Sequence, residues 1–514
     1  MSTRGQDQGQ GRVKIRQLPT GVPGLDEILG GGLPEYSFNI IAGAPGCGKT
    51  TLAHQFIFAN ASPEHPVLYF TVLGEPALKM LRYQQQYTFF DQSKLDGAIR
   101  FVNLSQLILE KDLAAVLDQI INEVEASNAK IVVVDSFRTV VRKTLSTATE
   151  TELQGFIQRL ALHLTSWQAT TFLIGEYVEG ELRDNPVFTV ADGLLWLYQS
   201  VERNSIVRKL QIVKLRGQGS VPGLHTFRIT EDGLQTFPRT FGLAGQSGQV
   251  KGRRRLSTGI SKLDALLGGG VPEGDSLLVA GPSGSGKSIL ATQFIAEGLR
   301  HGEPAIVAVF EEIPAEYAQR AAVFGLDFDT PQKDDLLKII YLRPLDLSVD
   351  ETVHEIVNSV KRLGCKRLVI DSLVGFEMAL APGFRTDFRE SLYRMIAALT
   401  RLGVTILSTV EIEEDFTSMD LSNFTVSFLA DDIVRLRYIS IDGQLRRMLL
   451  VVKMRRSAHS IDLVEYEVTS KGVVIGERLR GFRALTSGIP SPWSYESHNI
   501  PQRPVEAEGD HPNG

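Results

Sequence analysis

The sequence predicts an α/β protein of two tandem P-loop NTPase domains, each a mostly parallel sheet flanked by helices. Three observations point there. The phosphate-binding pattern G-x-x-x-x-G-K-[ST] occurs twice, at residues 43–50 and 281–288, which are 238 residues apart (281 − 43). The segments around the two copies repeat in the same order. After each copy, nearly continuous apolar runs alternate with helical patterns, as expected for parallel strands covered on both faces.

Each element follows in turn. Thr20-Gly21 with Leu25-Asp26 matches Thr258-Gly259 with Leu263-Asp264, and Gly30-Gly31-Gly32 matches Gly268-Gly269-Gly270. An apolar strand (38–42, 277–280) then feeds each glycine-rich loop, and a helical spacing (51–58, 289–296) leaves it. That strand–loop–helix setting is what a working P-loop requires. Further strand pairs are expected at 67–72 and 305–310, at 131–136 and 367–372, and at 170–174 and 404–408. Each half closes in β structure, at 210–215 with 227–229 and at 448–454 with 466–468.

At 514 residues the chain is too long for a single hydrophobic core. The repeat divides it into a disordered arm (1–13), a first domain (14–241), a linker (242–255), a second domain (256–485) and a mobile tail (486–514). The linker ends in Arg253-Arg254-Arg255, which reads as solvated charge. Net charge is −6, and no basic-aromatic strip marks a nucleic-acid surface, so a DNA-acting role is disfavoured. Two cysteines, Cys47 and Cys365, make a disulfide framework improbable and a reducing cytoplasm the default. No run is long enough to span a membrane, and the histidines show no zinc-ligand spacing.

Glycines let backbone N–H groups curl round a phosphate, the lysine reaches the β/γ-phosphates, and the hydroxyl binds Mg²⁺. The ATP cradle is therefore assigned to Gly43, Gly46, Cys47, Gly48, Lys49, Thr50 and Thr51 in the first half. In the second it is Gly281, Ser283, Gly284, Ser285, Gly286, Lys287, Ser288 and Ile289. Asp135 and Asp371 each end an apolar strand, where a carboxylate completes the metal shell beside Thr50 and Ser288. Glu311 and Glu312 close another strand in the second half, where a carboxylate can take a proton from an attacking hydroxyl. The first half has Leu73 and Gly74 there, and Glu75 is displaced by one or two positions: either a different loop lets it supply the base, or this half binds ATP and turns it over slowly. Lys214-Leu215-Arg216 and Lys453-Met454-Arg455 recur on late strands, with two cations on one strand face. Donated across a subunit boundary, they would make ATP an adhesive between copies.

These motifs together resemble the KaiC family of tandem RecA-like ATPases, over residues 14–484. The resemblance implies a two-tier homo-hexamer with ATP and Mg²⁺ between neighbours, a first tier that is mainly an ATPase, and a second that also phosphorylates itself on serine or threonine. By it, Glu311 is the base, Lys453 and Arg455 sense phosphate from the neighbouring copy, and Arg447 and Ser457 line the same nucleotide. The family's adjacent Ser-Thr phosphosite falls on Ser427-Phe428. Ser427 can accept phosphate and Phe428 cannot, so a two-site phosphorylation cycle is not expected unless Thr425 or Ser422 substitutes. Because the C-terminal tail lacks clear similarity to the family's partner-binding segment, a circadian oscillator is not inferred. The expected role is a signalling or timing ATPase with a signalling protein as candidate partner. The alternatives are a nucleotide-gated scaffold with little catalysis and a DNA-acting RecA-like ATPase.

Overall fold

The computed structural model describes residues 15–72, 77–95, 97–110, 113–138, 150–166, 168–182, 186–202, 205–239, 254–342, 348–380, 388–412, 430–483, 485 and 491–492. The first half builds a sheet from β1 (Phe38–Gly43), β2 (Val67–Thr71), β3 (Ile99–Asn103), β4 (Ile131–Asp135), β5 (Thr170–Glu176), β6 (Gly193–Glu202), β7 (Ser205–Leu215), β8 (Leu224–Thr230) and β9 (Gly233–Phe237). Its strand order is β9-β8-β7-β6-β1-β5-β4-β2-β3. Strands β6 through β3 in that order are parallel, and β7 to β9 fold on as antiparallel hairpins.

The second half repeats the plan. Its strands are β10 (Ser276–Gly281), β11 (Ala305–Val309), β12 (Leu337–Tyr341), β13 (Arg367–Asp371), β14 (Thr405–Glu411), β15 (Asp432–Ile441), β16 (Gln444–Met454), β17 (Val464–Thr469) and β18 (Gly472–Arg478). The order β12-β11-β13-β14-β10-β15-β16-β17-β18 is that of the first sheet read from the other edge. Two RecA-like folds in tandem are thus present.

Apolar strands make this arrangement because successive side chains leave a sheet on opposite faces. In the first half Phe38, Ile40, Ala42, Val132 and Val134 enter one core, and Ile41, Ile131 and Val133 enter the other. Both faces are dry, so the runs must be continuous rather than alternating. Sequence reading finds neither β3 and β12 nor β6 and β15. In β15 the reason is visible: Arg435 and Arg437 interrupt the apolar run, yet both are buried.

Two expectations are corrected. Arg254 pairs with Glu303 at 2.9 Å, and Arg255 begins a two-residue strand and donates to the Leu267 and Gly270 carbonyls. Arg255 is therefore tied into the second half, while Arg254 keeps its side chain in solvent beside Glu303. Within the tail read as mobile, Ser491–Pro492 pairs with Phe482–Arg483. Among the described residues no helix is long and apolar enough to cross a membrane.

Candidate nucleotide sites

β1 and β10 are buried along their whole length and end at Gly43 and Gly281, where the glycine-rich loops begin. The loops turn into α1 (Lys49–Asn60) and α3 (Lys287–Arg300), with α2 (Ala77–Gln84) between them in the chain. Gly48 (φ 99°) and Gly286 (φ 95°) cap these helices in the left-handed region that disfavours any side chain. A Cβ on Gly48 would also lie 2.7 Å from Ile229 Cδ1. The first turn of each helix therefore presents bare backbone N–H groups to an anion.

The two lysines bend over their loops in the same way. Lys49 Nζ donates to the Ala44 carbonyl at 2.8 Å and Lys287 Nζ to that of Pro282 at 2.7 Å. Burial holds the Lys287 ammonium below its ordinary range, while Glu411, Asp371 and Glu311 pull the other way. Cys47 is fully buried in the first loop, and burial pushes its thiol up. Its counterpart Ser285 donates to the Pro282 carbonyl at 2.7 Å.

Each loop hydroxyl meets a strand-end aspartate. Thr50 Oγ1 donates to Asp135 Oδ2 at 2.8 Å, and Ser288 Oγ donates to Asp371 Oδ1 at 3.1 Å. β2 and β11 lie beyond these aspartates, and their residues set the surroundings. In the first half Tyr69 donates its phenol to Asp135 Oδ2 at 2.8 Å. Burial raises the Asp135 carboxyl above its usual range, against the bonds from Tyr69 and Thr50. In the second half Thr409 Oγ1 donates to Asp371 Oδ1 at 2.6 Å, and Arg320 Nη2 stands 3.5 Å from Asp371 Oδ2.

A cleft opens over each loop. The first, about 550 Å³, is lined by Lys49, Thr50, Thr51, Asp135, Glu176 and Arg208, among others. The second, about 650 Å³, is lined by Ser283, Gly284, Lys287, Ser288 and Ile289 with Glu311, Glu312 and Asp371. A hydroxyl beside one carboxylate is an all-oxygen donor set, and it suits Mg²⁺, which keeps waters and leans on phosphate oxygens rather than on a protein cage. No group of three His, Cys, Asp or Glu suited to a metal occurs among the described residues.

The acidic pair is divided in its contacts. Ser372 Oγ donates to Glu311 Oε1 at 3.1 Å, whereas Glu312 Oε1 takes an ion pair from Arg320 Nη2 at 2.6 Å. Burial raises the Glu312 carboxyl, opposed by Arg320. Glu75 and Ser427 lie outside the described residues.

Neither basic triplet reaches the loop of its own half. Leu215 pairs with Gly193 at the entry end of β1, four residues upstream of Gly43; Met454 pairs with Asp432 at the entry end of β10. Four residues of strand span about 13 Å, and the loops leave from the far end. Lys214 Nζ donates to the Phe188 and Thr189 carbonyls and Arg216 pairs with Asp192. Lys453 donates to the Ala430 carbonyl, Arg455 lies 3.9 Å from Asp431, and Ser457 Oγ contacts Met454 Sδ at 3.7 Å. Arg447 sits elsewhere, at the loop end of β16: it stacks over Tyr438, whose hydroxyl donates to the Ser283 carbonyl at 3.4 Å. The structure thus separates Arg447 from Lys453, Arg455 and Ser457.

Several pocket residues escape sequence reading. Glu176 and Glu411 end β5 and β14 and line the two clefts. Their signal was available, because each follows an apolar run at matching places in the halves. Tyr69, Arg208, Arg320 and Thr409 carry no motif, since they reach the site only through folding.

The comparisons with known proteins agree with this geometry. The profile of the family described as "ATPase: KaiC" matches residues 18–240 and again 256–480. The chain is 28% identical over 492 residues to "Circadian clock oscillator protein KaiC" of Picosynechococcus sp., covering 94% of each chain. It is 29% identical to "Circadian clock oscillator protein KaiC 1" of Synechocystis sp. over 93% of each chain. Against the KaiC of Rippkaea orientalis it is 28% identical, over 96% of this chain and 95% of that one.

Proposed function

The chain belongs to the KaiC family of ATPases, and from that premise we propose that it hydrolyses ATP and that its second half also phosphorylates the chain on serine or threonine. The reading rests above all on the duplicated contact of a P-loop hydroxyl with a strand-end aspartate, joined in the second half by Glu311 and Glu312. The comparisons lend no support to the scaffold or DNA-acting alternatives.

Thr50 with Asp135, and Ser288 with Asp371, would hold Mg²⁺, which supplies charge neutralisation at the β- and γ-phosphates. Lys49 and Lys287 leave their loop carbonyls to bind the same oxygens. Helix N-terminal N–H groups fix the phosphate chain at no reorganisation cost. Glu311 accepts the proton of the attacking hydroxyl, from water in hydrolysis or from a side chain such as Ser427 in self-phosphorylation. The cations of 214–216 and 453–455 lie at the strand ends far from their own loops, so in this reading they would serve a neighbouring copy in a homo-hexamer with nucleotide between subunits.

Incubation with γ-labelled ATP and Mg²⁺ tests this. Phosphate release with label on the protein is expected, and Glu311→Gln should abolish the transfer. ATP consumption without label would remove the kinase half of the proposal. Light scattering under saturating ATP should report an assembly, and single chains would remove the shared site.

A further inference from the structure

Arg320 has no role in the chemistry described above, yet it is the best-anchored cation in the second cleft. It lies in α4 (Pro314–Val323), the helix that follows Glu311 and Glu312. Its guanidinium bridges Glu312 Oε1 at 2.6 Å and Asp371 Oδ2 at 3.5 Å. It also stacks on the Tyr317 ring at 4.6 Å, and that ring is fully buried with its hydroxyl 3.2 Å from Thr292 Oγ1. Guanidinium stays charged and is planar, so three partners fix it in place.

The first half provides a comparison within the molecule. Arg82 occupies the same repeat position, 238 residues earlier (320 − 82), on α2. There the acidic pair is replaced by Leu73 and Gly74, and Arg82 is exposed. Asp135 is met from β2 by the neutral Tyr69 phenol instead of a cation. The inward arginine thus goes with the half that carries the carboxylates.

We propose that Arg320 is a positioning residue that holds Glu312 against the second cleft and occupies Asp371 until a divalent cation displaces it, making nucleotide uptake there more dependent on Mg²⁺ than in the first cleft. It rests on the nucleotide-site reading above, but not on hydrolysis. A guanidinium 3.5 Å from one carboxylate oxygen repels a cation approaching the other, which Ser288 already touches at 3.1 Å. Once displaced from Asp371 it remains paired with Glu312.

The test titrates Mg²⁺ into full-length protein with a fluorescent ATP analogue. Lys49→Ala confines the readout to the second cleft, and Lys287→Ala to the first. Arg320→Gln should lower the Mg²⁺ needed for half-maximal binding about tenfold, the order expected on removing one like charge from a partly solvated site. Arg320→Lys should keep most of the original requirement. Glu312→Gln should raise it, because Arg320 then pairs with Asp371 alone. Arg82→Gln should leave the first cleft unchanged. An unchanged or higher Mg²⁺ requirement in Arg320→Gln overturns the proposal, and so does an equal shift from Arg82→Gln. Absence of phosphate release in every variant would end the hydrolysis reading while leaving the Mg²⁺ shifts to decide this one.

Discussion

Asp135 in the first half is met by two neutral hydroxyls, from Thr50 and Tyr69, while Asp371 in the second is met by two hydroxyls and a guanidinium. The loops, the lysines and the metal-side oxygens superpose in kind. What differs is the charge that the neighbouring strand and helix bring to them. A duplicated glycine-rich loop can thus keep its form while its surroundings diverge, because the loop is local backbone and the carboxylates beside it come from the next strand.

The largest expected effect would break that contrast in rate. Lys49→Ala leaves only the second site, and Lys287→Ala only the first. Phosphate release by the former should exceed that of the latter by about 10²-fold or more, the usual worth of a positioned base. Equal rates would mean that Glu311 and Glu312 do not distinguish the halves.

Next comes acid and base, where the halves should respond in opposite senses. His54 is fully buried in the first half, stacked on Tyr69 at 4.8 Å, and burial lowers its pKa to about 3. The unfolded chain then binds the proton more readily, so stability is lost as pH falls from about 6.5 towards 3, by up to about 5 kcal/mol. Thr292 stands at the matching position of the second half. Burial beside Asp275 and Asp431 raises Asp432 to about 7, against Arg255. There the native state holds the extra proton, so stability is lost as pH rises from about 4 to 7, by about 4 kcal/mol. Urea midpoints should show His54→Gln gaining relative stability at pH 4 and Asp432→Asn gaining it at pH 8. A gain for either at the opposite pH would reverse the assignment.

A packing contrast is of similar size. Arg367 begins β13 almost wholly buried, paired with Glu303 at 2.8 Å and donating to the Ser257 and Phe294 carbonyls. Arg367→Ala leaves Glu303 with only the exposed Arg254 and takes the donor from the Ser257 and Phe294 carbonyls, and should cost about 3–5 kcal/mol. Its counterpart Ile131→Ala loses only apolar contact, at about 2–5 kcal/mol. Glu303→Gln, weighed in a double-mutant cycle by chemical denaturation, should be strongly coupled to Arg367→Ala. Additive losses would exclude the ion pair as the cause.

The smallest effect sharpens the Asp135 environment. Tyr69→Phe deletes one donor to a buried carboxylate and should destabilise the first half by about 1–3 kcal/mol. It should also weaken the protein's hold on Asp135 without touching the second site. Unchanged thermal unfolding would place the phenol outside that network.

Much of the fold was legible because its signals are local. A dry strand must be apolar at every position, and a phosphate loop must have glycine where φ is positive, so β1, β4, β10 and β13 and both loops could be read in order. β15 was missed because Arg435 and Arg437 look like surface charge until their burial is seen. Arg255 looked like linker for the same reason. Lys49, Lys287, Thr50, Ser288, Asp135 and Asp371 were named from pattern, and each half brings its three together. Glu176 and Glu411 are within reach of the same reasoning, two and three residues past the strand ends read from the sequence at 174 and 408.

By itself the chain's order of residues determined the duplication, the glycine-rich loops, their lysines and the hydroxyls that follow them, since each depends on neighbours a few positions away. Only the folded sheet decided that Tyr69 faces Asp135, that Arg320 lies between Glu312 and Asp371, and that Lys453 points away from its own loop. Apart from the short step from Glu312 to Arg320, those contacts join residues 51 and 66 positions apart, where strand order and register, rather than spacing along the chain, set which side chains meet.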